Sequence, residues 1–280
     1  MTTENSELRF AFGANWQSFV NAAVDQQRIT TAIKSIQQLL KVQDLQGKSF
    51  LDIGCGSGLF SLAACLLTAE RVVSFDYDVN SVEASITLRK SASQLIERAA
   101  HKWQIMPGSV LDEQFLDSLQ PADVVYSWGV LHHTGAMWQA IDNAVSKVKP
   151  GGIIAISIYN NVESRVGGSA MWWQIKQAYN RSPQAARPLM EYAYVANFML
   201  RKLLTLRNPF KMIQNYGDGA GRGMDFWHDV RDWLGGFPYE YATAGQIFNY
   251  MHNKHGLELI YLDTHDGHGC NQFTFHRPAG

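Results

Sequence analysis

Leu51-Asp52-Ile53-Gly54-Cys55-Gly56-Ser57-Gly58 is the stretch that decides how this chain reads. Phe50 to Ile53 form a short apolar run with the character of a buried strand. Gly54, Gly56 and Gly58 then make a turn that lets backbone approach a ligand closely. From Leu59 onward, Phe60, Leu62, Ala63, Ala64 and Leu66 predict a helix packed back on the sheet. Strand, glycine turn and helix suit a nucleotide-like cofactor: no Cβ is in the way, and the helix N-terminus is aimed at the ligand.

Two cofactor classes compete for that geometry. The dinucleotide fingerprint is G-x-G-x-x-G, with the helix start facing a pyrophosphate. Here the glycines fall at 54, 56 and 58, and Asp52 stands at the strand end just before them. Beside a pyrophosphate, Asp52 would meet like charge; beside an ammonium and a sulfonium it is well placed. The stretch D-x-G-x-G-x-G resembles motif I of the class I S-adenosylmethionine (SAM) methyltransferases. That resemblance implies SAM as cofactor and S-adenosylhomocysteine (SAH) as product. Gly54, Cys55 and Gly56 then line the cofactor with Asp52.

The rest of the chain extends the resemblance. Arg71 to Asp78 reads as a second strand ending in an acid about 20 residues past the glycines, the distance at which a carboxylate can accept both ribose hydroxyls. Asp76 matches the family's motif II in that role, Tyr77 would lie against the adenine face, and Asp78 reads as the cap of a helix from Val79 to Lys90. Lys102 to Met106 is a third strand. In the family, the loop after it brackets adenine, at positions matched here by Ser109 and Val110. Asp112 either shares that contact or caps the helix Glu113 to Leu119. The fourth strand, Ala122 to Trp128, includes Ser127, assigned to the cofactor side. It runs into Gly129-Val130-Leu131-His132-His133, which resembles the family's LHH segment at the methyl end. Lys149-Pro150-Gly151-Gly152 resembles the family's Pro-Gly-Gly turn and reads as the stop of a helix from Met137 to Val148, ahead of a fifth strand, Ile153 to Tyr159.

The family usually reaches its last strands soon afterwards, whereas here Asn160 to Thr243 intervene. They contain helical stretches at Ser169 to Tyr179 and Ala185 to Leu206, then an aromatic block from Met224 to Tyr241. A helix, Ala244 to Asn253, and a hairpin of Leu257 to Thr264 and Asn271 to Phe275 follow. FGxNW early, VLHH, and DWxGG(F/Y)P(F/Y)E late make the chain similar to a bacterial group near the ubiquinone-biosynthesis O-methyltransferases. The fold this implies is α/β, Rossmann-like: a seven-stranded, mostly parallel sheet with an antiparallel C-terminal hairpin and a helical lid insertion. The expected domains are an N-terminal helical cap (1–47), a SAM-binding core (48–160), an acceptor lid (161–242) and a C-terminal helix and hairpin completing the core (243–280).

Methyl transfer needs alignment, and a base only where the acceptor must lose a proton. His133 and His132 are the first candidates, and each could equally hydrogen-bond a backbone carbonyl at a helix start. His228 is the next, because in a helix from Asp225 to Leu234 it shares a face with Arg231 and Asp232. Trp128, Trp227, Arg231 and Tyr239 are the candidate acceptor contacts. Trp16, in the segment Arg9 to Trp16, either packs the N-terminal piece onto the core or covers the cofactor. No metal ligand set is expected, since His228 and Asp232 have no third partner at good spacing.

Composition narrows the partners. The 280 residues carry net charge −1, with 46% hydrophobic and 18% charged, an ordinary globular balance with no global field for nucleic acid. Cys55, Cys65 and Cys270 show no disulfide or metal spacing, which fits a reducing cytoplasm. The N-terminus is polar and acidic, unlike a signal peptide. Residues 172–211 hold seven Lys or Arg against one acid, Glu191. That excess would bind an anionic acceptor, rest the Tyr192 to Leu206 stretch on an anionic membrane, or simply give the lid helix a basic outer face. The expected activity is methyl transfer to a small-molecule or lipid-linked acceptor, O-methylation before N-methylation. A non-catalytic SAM-binding module and an RNA methyltransferase are the alternatives, and the sequence leaves the oligomeric state open.

Overall fold

A computed structural model of the chain describes residues 26–96, 102–206, 208–214 and 226–280. These fall into two compact units: Arg165–Tyr239, and the residues on either side of it through Ser164 and from Glu240.

The larger unit is a seven-stranded sheet covered by helices on both faces. Helix α1 (Gln26–Leu40) precedes β1 (Ser49–Ile53), α2 (Leu59–Leu66), β2 (Arg71–Asp76), α3 (Val79–Ser91) and β3 (Trp103–Pro107). Then come α4 (Glu113–Asp117), β4 (Ala122–Trp128), a 3₁₀ turn at Leu131–His133, α5 (Met137–Ser146) and β5 (Val148–Tyr159). The strand order is β3-β2-β1-β4-β5-β7-β6, with β6 (Glu258–Asp263) and β7 (Cys270–His276) in the sequence after α10 (Ala244–His255). Strands β1 to β5 pair in parallel, and β7 runs antiparallel to both β5 and β6. This is the α/β architecture expected from the sequence. The order reverses between β1 and β4, and in open α/β sheets that is where the carboxyl ends open a ligand crevice.

All five residues of β1 are buried, as a central parallel strand covered on both faces requires. Leu51, Ile53, Val73, Phe75, Val125 and Ile156 build one core beneath α5 and α10. Phe50, Val72, Val124 and Ala155 build the other, under α1, α2 and α3. Helix α1 buries Ile29, Ala32, Ile36, Leu39 and Leu40 there, the stripe its spacing predicts. Asp78 caps α3 by accepting from the Asn80 N–H.

One turn differs from its sequence reading. Helix α5 ends at Ser146, and Val148 already pairs with Ala122. Lys149-Pro150-Gly151-Gly152 therefore lies inside β5, where the register shifts before Val124 meets Ile153. Proline and glycine serve here as a bulge in the strand rather than as a helix stop. A Cβ at Gly152 would stand 2.9 Å from the Asp123 and Lys149 carbonyls, so glycine lets the bulge close.

The smaller unit is helical: α6 (Ser169–Arg181), α7 (Arg187–Leu204), α8 (Pro209–Gln214) and α9 (Phe226–Gly235). Its core is Tyr179, Val195, Phe226, Val230 and Leu234, with Trp172, Met190 and Phe198 packed against it.

Candidate active site

The loop after β1 carries left-handed backbone at all three glycines: φ is 76° at Gly54, 54° at Gly56 and 80° at Gly58. Such conformations are cheap for glycine alone. Space adds a second reason at Gly54, where a Cβ would fall 2.4 Å from the Val130 side chain. The absent side chain thus lets the segment after β4 pack directly on the glycine loop. The Gly54 and Cys55 N–H groups both donate to the Phe75 carbonyl, at 2.8 and 3.1 Å, tying the loop to β2.

Asp76 ends β2 beside this loop. Its carboxylate accepts from the Gly56 N–H and the Asp78 N–H, each at 2.9 Å. Burial raises its pKa, and these amide donors oppose the rise. Asp52 is oriented differently. It is buried, and one oxygen accepts from the Ser61 hydroxyl at 2.5 Å; Ser61 lies 2.6 Å from the Ser74 hydroxyl, which accepts from the Trp103 indole at 2.7 Å. Burial, with the nearby Asp76 charge, pushes the Asp52 pKa up to about 7 against the Ser61 bond. Cys55 is buried with its Sγ 3.4 Å from the Ser85 hydroxyl, and burial raises its thiol well above the usual range.

Further along the carboxyl edge, Tyr77 is 63% exposed. Ser109 accepts from the Leu111 N–H, Val110 is buried in the core, and Asp112 caps α4 by accepting from the Phe115 N–H. The Ser127 hydroxyl, fully buried, donates to the Ile53 carbonyl at 3.0 Å and so joins β4 to β1.

The segment after β4 gathers aromatic and imidazole rings. The His132 ring lies 4.1 Å from Tyr159 and 4.5 Å from His133, centroid to centroid, and His133 meets Tyr159 edge-on at 5.3 Å. His132 is fully buried, with its Nδ1 accepting from the Tyr159 N–H at 3.4 Å; His133 is half-buried. The Trp128 indole donates to Gln272 Oε1 at 3.1 Å.

Glu240 is a participant the sequence reading passed over. Its carboxylate accepts from the Met137 N–H at 3.0 and 3.2 Å, and its own N–H donates to the His132 carbonyl at 2.9 Å. A carboxylate on free amides at a helix start is favourable, although burial raises its pKa. The signal was present as the acid closing the Pro238-Tyr239-Glu240 run, but its partner lies a hundred residues away.

In the helical unit, Trp227 meets Tyr192 and Phe226 edge-on at 5.5 and 5.7 Å. Arg231 pairs with Glu191 at 3.3 Å, and Glu191 also accepts from the Tyr179 hydroxyl. The Tyr239 ring is buried, 4.9 Å from the Lys176 ammonium, which also stands 4.2 Å from the Trp233 ring and donates to the Trp233 carbonyl. Lys176, counted in the sequence as part of a basic face, is thus fully buried in an aromatic cage. Trp16 lies outside the described residues, and so does the side chain of His228, whose backbone is in α9.

The fold, a glycine loop at the switch point and an acid at the end of β2 define a class. A family model described as methyltransferase domain matches residues 24–199, more than half of the chain, and the chain belongs to that family. Among curated proteins, ribosomal protein L11 methyltransferase of Azotobacter vinelandii is 37% identical over 115 residues, 41% of this chain and 35% of that protein. Its counterpart in Photobacterium profundum is 35% identical over 118 residues, with the same shares. The chain spans about a third of the length of these relatives. Among solved structures, an O-methyltransferase family protein from Burkholderia thailandensis matches with TM-score 0.54 at 13% identity, over 95% of this chain and 60% of that one. Magnesium protoporphyrin IX methyltransferase from Synechocystis PCC 6803, with bound SAH, matches with TM-score 0.53 at 12% identity over 97% of each chain. At such identities these structures share the fold.

Proposed function

We propose that this chain moves a methyl group from SAM to a small-molecule or lipid-linked acceptor, oxygen before nitrogen. The observation that supports it best is the close approach of Val130 to Gly54, since the His132–His133 turn follows Val130 directly.

The residues present fit SAM. Asp76, already prearranged by two backbone amides, would take the ribose hydroxyls. The positive-φ loop from Gly54 to Gly58, with Cys55, would border the amino-acid end, Ser109, Val110 and Tyr77 the adenine, and Ser127 would hold the loop's strand in place. Asp52, bonded to the Ser61 hydroxyl and with its pKa raised by burial, would be drawn toward its ionised form by a cationic ligand nearby. SAM supplies an already activated sulfonium methyl, so the protein contributes mainly alignment.

His133, half-buried, is placed to accept a proton from an acceptor hydroxyl or ammonium. His132, buried beneath it, orients that ring, and its Nδ1 bond to the Tyr159 N–H leaves the proton on Nε2. Trp128, at the end of β4, we assign to the acceptor as well. Acceptor choice we assign to the helical unit, through Trp227, Arg231 and Tyr239, because proteins of one fold differ in function through added elements. A protein acceptor is the second reading, favoured by the likeness to ribosomal protein L11 methyltransferases over 41% of this chain.

The test is incubation with methyl-labelled SAM and an extract of the source cells, resolved into organic, aqueous small-molecule, RNA and protein fractions. Label in either of the first two supports the proposal. Label in protein supports the second reading, and label in RNA or in no fraction refutes both.

A further inference from the structure

Helix α7 (Arg187–Leu204) is apolar on two sides. Its inner side buries Val195 and packs Met190, Tyr194, Phe198 and Met199 into the helical core. A surface helix normally turns a polar face outward. Here the outward positions are Leu189, Tyr192, Leu200, Leu203 and Leu204, between 54% and 76% exposed, with Ala193 and Ala196 completing the stripe. Leu206 follows at 98% exposed and Phe210, on α8, at 61%. Seven of the thirteen large apolar side chains exposed among the described residues fall between positions 189 and 210, so this is a patch and not scatter.

Charge says what covers it. From Arg187 to Gln214 the sequence holds a single acid, Glu191, which is buried and paired with Tyr179 and Arg231. Arg201 and Lys211 are exposed, and Lys202, half-buried, extends its ammonium past the Phe198 ring. Two copies meeting through this face would oppose these cations with no carboxylate between them. Exposed leucines and a phenylalanine bordered by Arg and Lys match an anionic lipid surface, with aliphatic chains taking the stripe and headgroups taking the cations. No helix among the described residues is long and apolar enough to cross a membrane, so the fit is to lying in the interface.

We propose that α7 and α8 dock in the plane of an anionic bilayer through Leu200, Leu203, Leu204, Leu206 and Phe210, with Arg201, Lys202 and Lys211 at the headgroups. This is independent of the methyl-transfer reading.

The test is sedimentation of the full chain with vesicles of phosphatidylcholine alone and of phosphatidylcholine mixed with phosphatidylglycerol. Binding is expected to the mixed vesicles and to fall with salt. R201E/K211E should weaken it roughly 30-fold or more, at about one kcal/mol per surface cation. L200S/L204S should weaken it without changing its salt dependence. Both pairs are exposed, and unchanged circular dichroism would show that the variants fold. Absence of binding, or equal binding to both vesicle types that ignores these variants, overturns the proposal. So does a dimer in light scattering that L200S/L204S dissolves while vesicle binding is absent, which would assign the stripe to a second copy.

Discussion

The loop after β1 and the helical unit are built in opposite ways. In the loop, backbone does the work: Gly54, Cys55 and Gly56 commit their N–H groups to Phe75 and Asp76, and no side chain is larger than a thiol. In Arg165–Tyr239, side chains do it: Trp172 and Trp233 meet edge-on, Lys176 is buried among rings, and α7 presents leucines outward. A common cofactor asks for one backbone shape, which a short motif encodes. On the proposed reading, an acceptor asks for a particular surface, which is spread over a whole unit.

The largest effect expected tests whether backbone shape governs the loop. Gly54→Ala forces a φ of 76° on alanine and sets a Cβ 2.4 Å from Val130, together costing roughly 2–5 kcal/mol. SAM binding by calorimetry should fall below detection, and Val130→Ala in the same chain should restore part of it. Gly151→Ala has nearly the same φ, 74°, but open space for the Cβ, and should cost about 1 kcal/mol with SAM binding intact. If the two alanines behave alike, the packing of Val130 on the loop is irrelevant.

Next in size is the His132–His133 turn. His133→Ala should lower kcat by roughly 10²–10³-fold with SAM affinity unchanged. In the wild type, kcat should decline toward acid pH, where a histidine base becomes protonated, and this limb should vanish in the variant. A variant that loses SAM affinity instead would make His133 part of the scaffold. Glu240→Ala, which frees the Met137 N–H and leaves the turn less tightly held, should lower kcat by a smaller factor, roughly 10-fold.

The last effect concerns Asp52 and is read in stability rather than turnover. Native Asp52 keeps its proton to about pH 7, whereas the unfolded chain releases it near 3.8. The native state therefore binds more protons in that window, and stability falls as pH rises through it. Asp52→Asn removes the ionisation while keeping an acceptor for Ser61. Its thermal midpoint relative to wild type should rise between pH 4 and pH 8, by on the order of 10 °C for a shift of this size, because only the wild type loses stability across that window. Equal midpoints at both pH values would mean that Asp52 is not the group that titrates.

What was legible in the sequence follows the same division. Glycines at 54, 56 and 58, the acid at 76 and the cap at 78 each reflect a backbone requirement that few residue types meet, so type and spacing were sufficient. Buried contacts were not legible where the same letters serve two environments. Lys176 reads as surface charge until Trp233 and Tyr239 close around it. Pro150-Gly151-Gly152 suits a helix stop and a strand bulge equally, and the pairing of Val148 with Ala122 decides between them. The Asp52–Ser61–Ser74–Trp103 chain and the reach of Glu240 to Met137 join residues far apart in sequence, and no local pattern announces them.

The most direct measurement is a calorimetric titration of SAM into Asp76→Ala and Trp227→Ala, side by side with wild type. If the cofactor belongs to the sheet edge and the helical unit serves the acceptor, Asp76→Ala weakens SAM roughly a hundredfold, by loss of charge-assisted hydrogen bonds, and Trp227→Ala leaves it unchanged. An Asp76→Ala protein that binds SAM as wild type does, or equal weakening in both variants, would contradict the account.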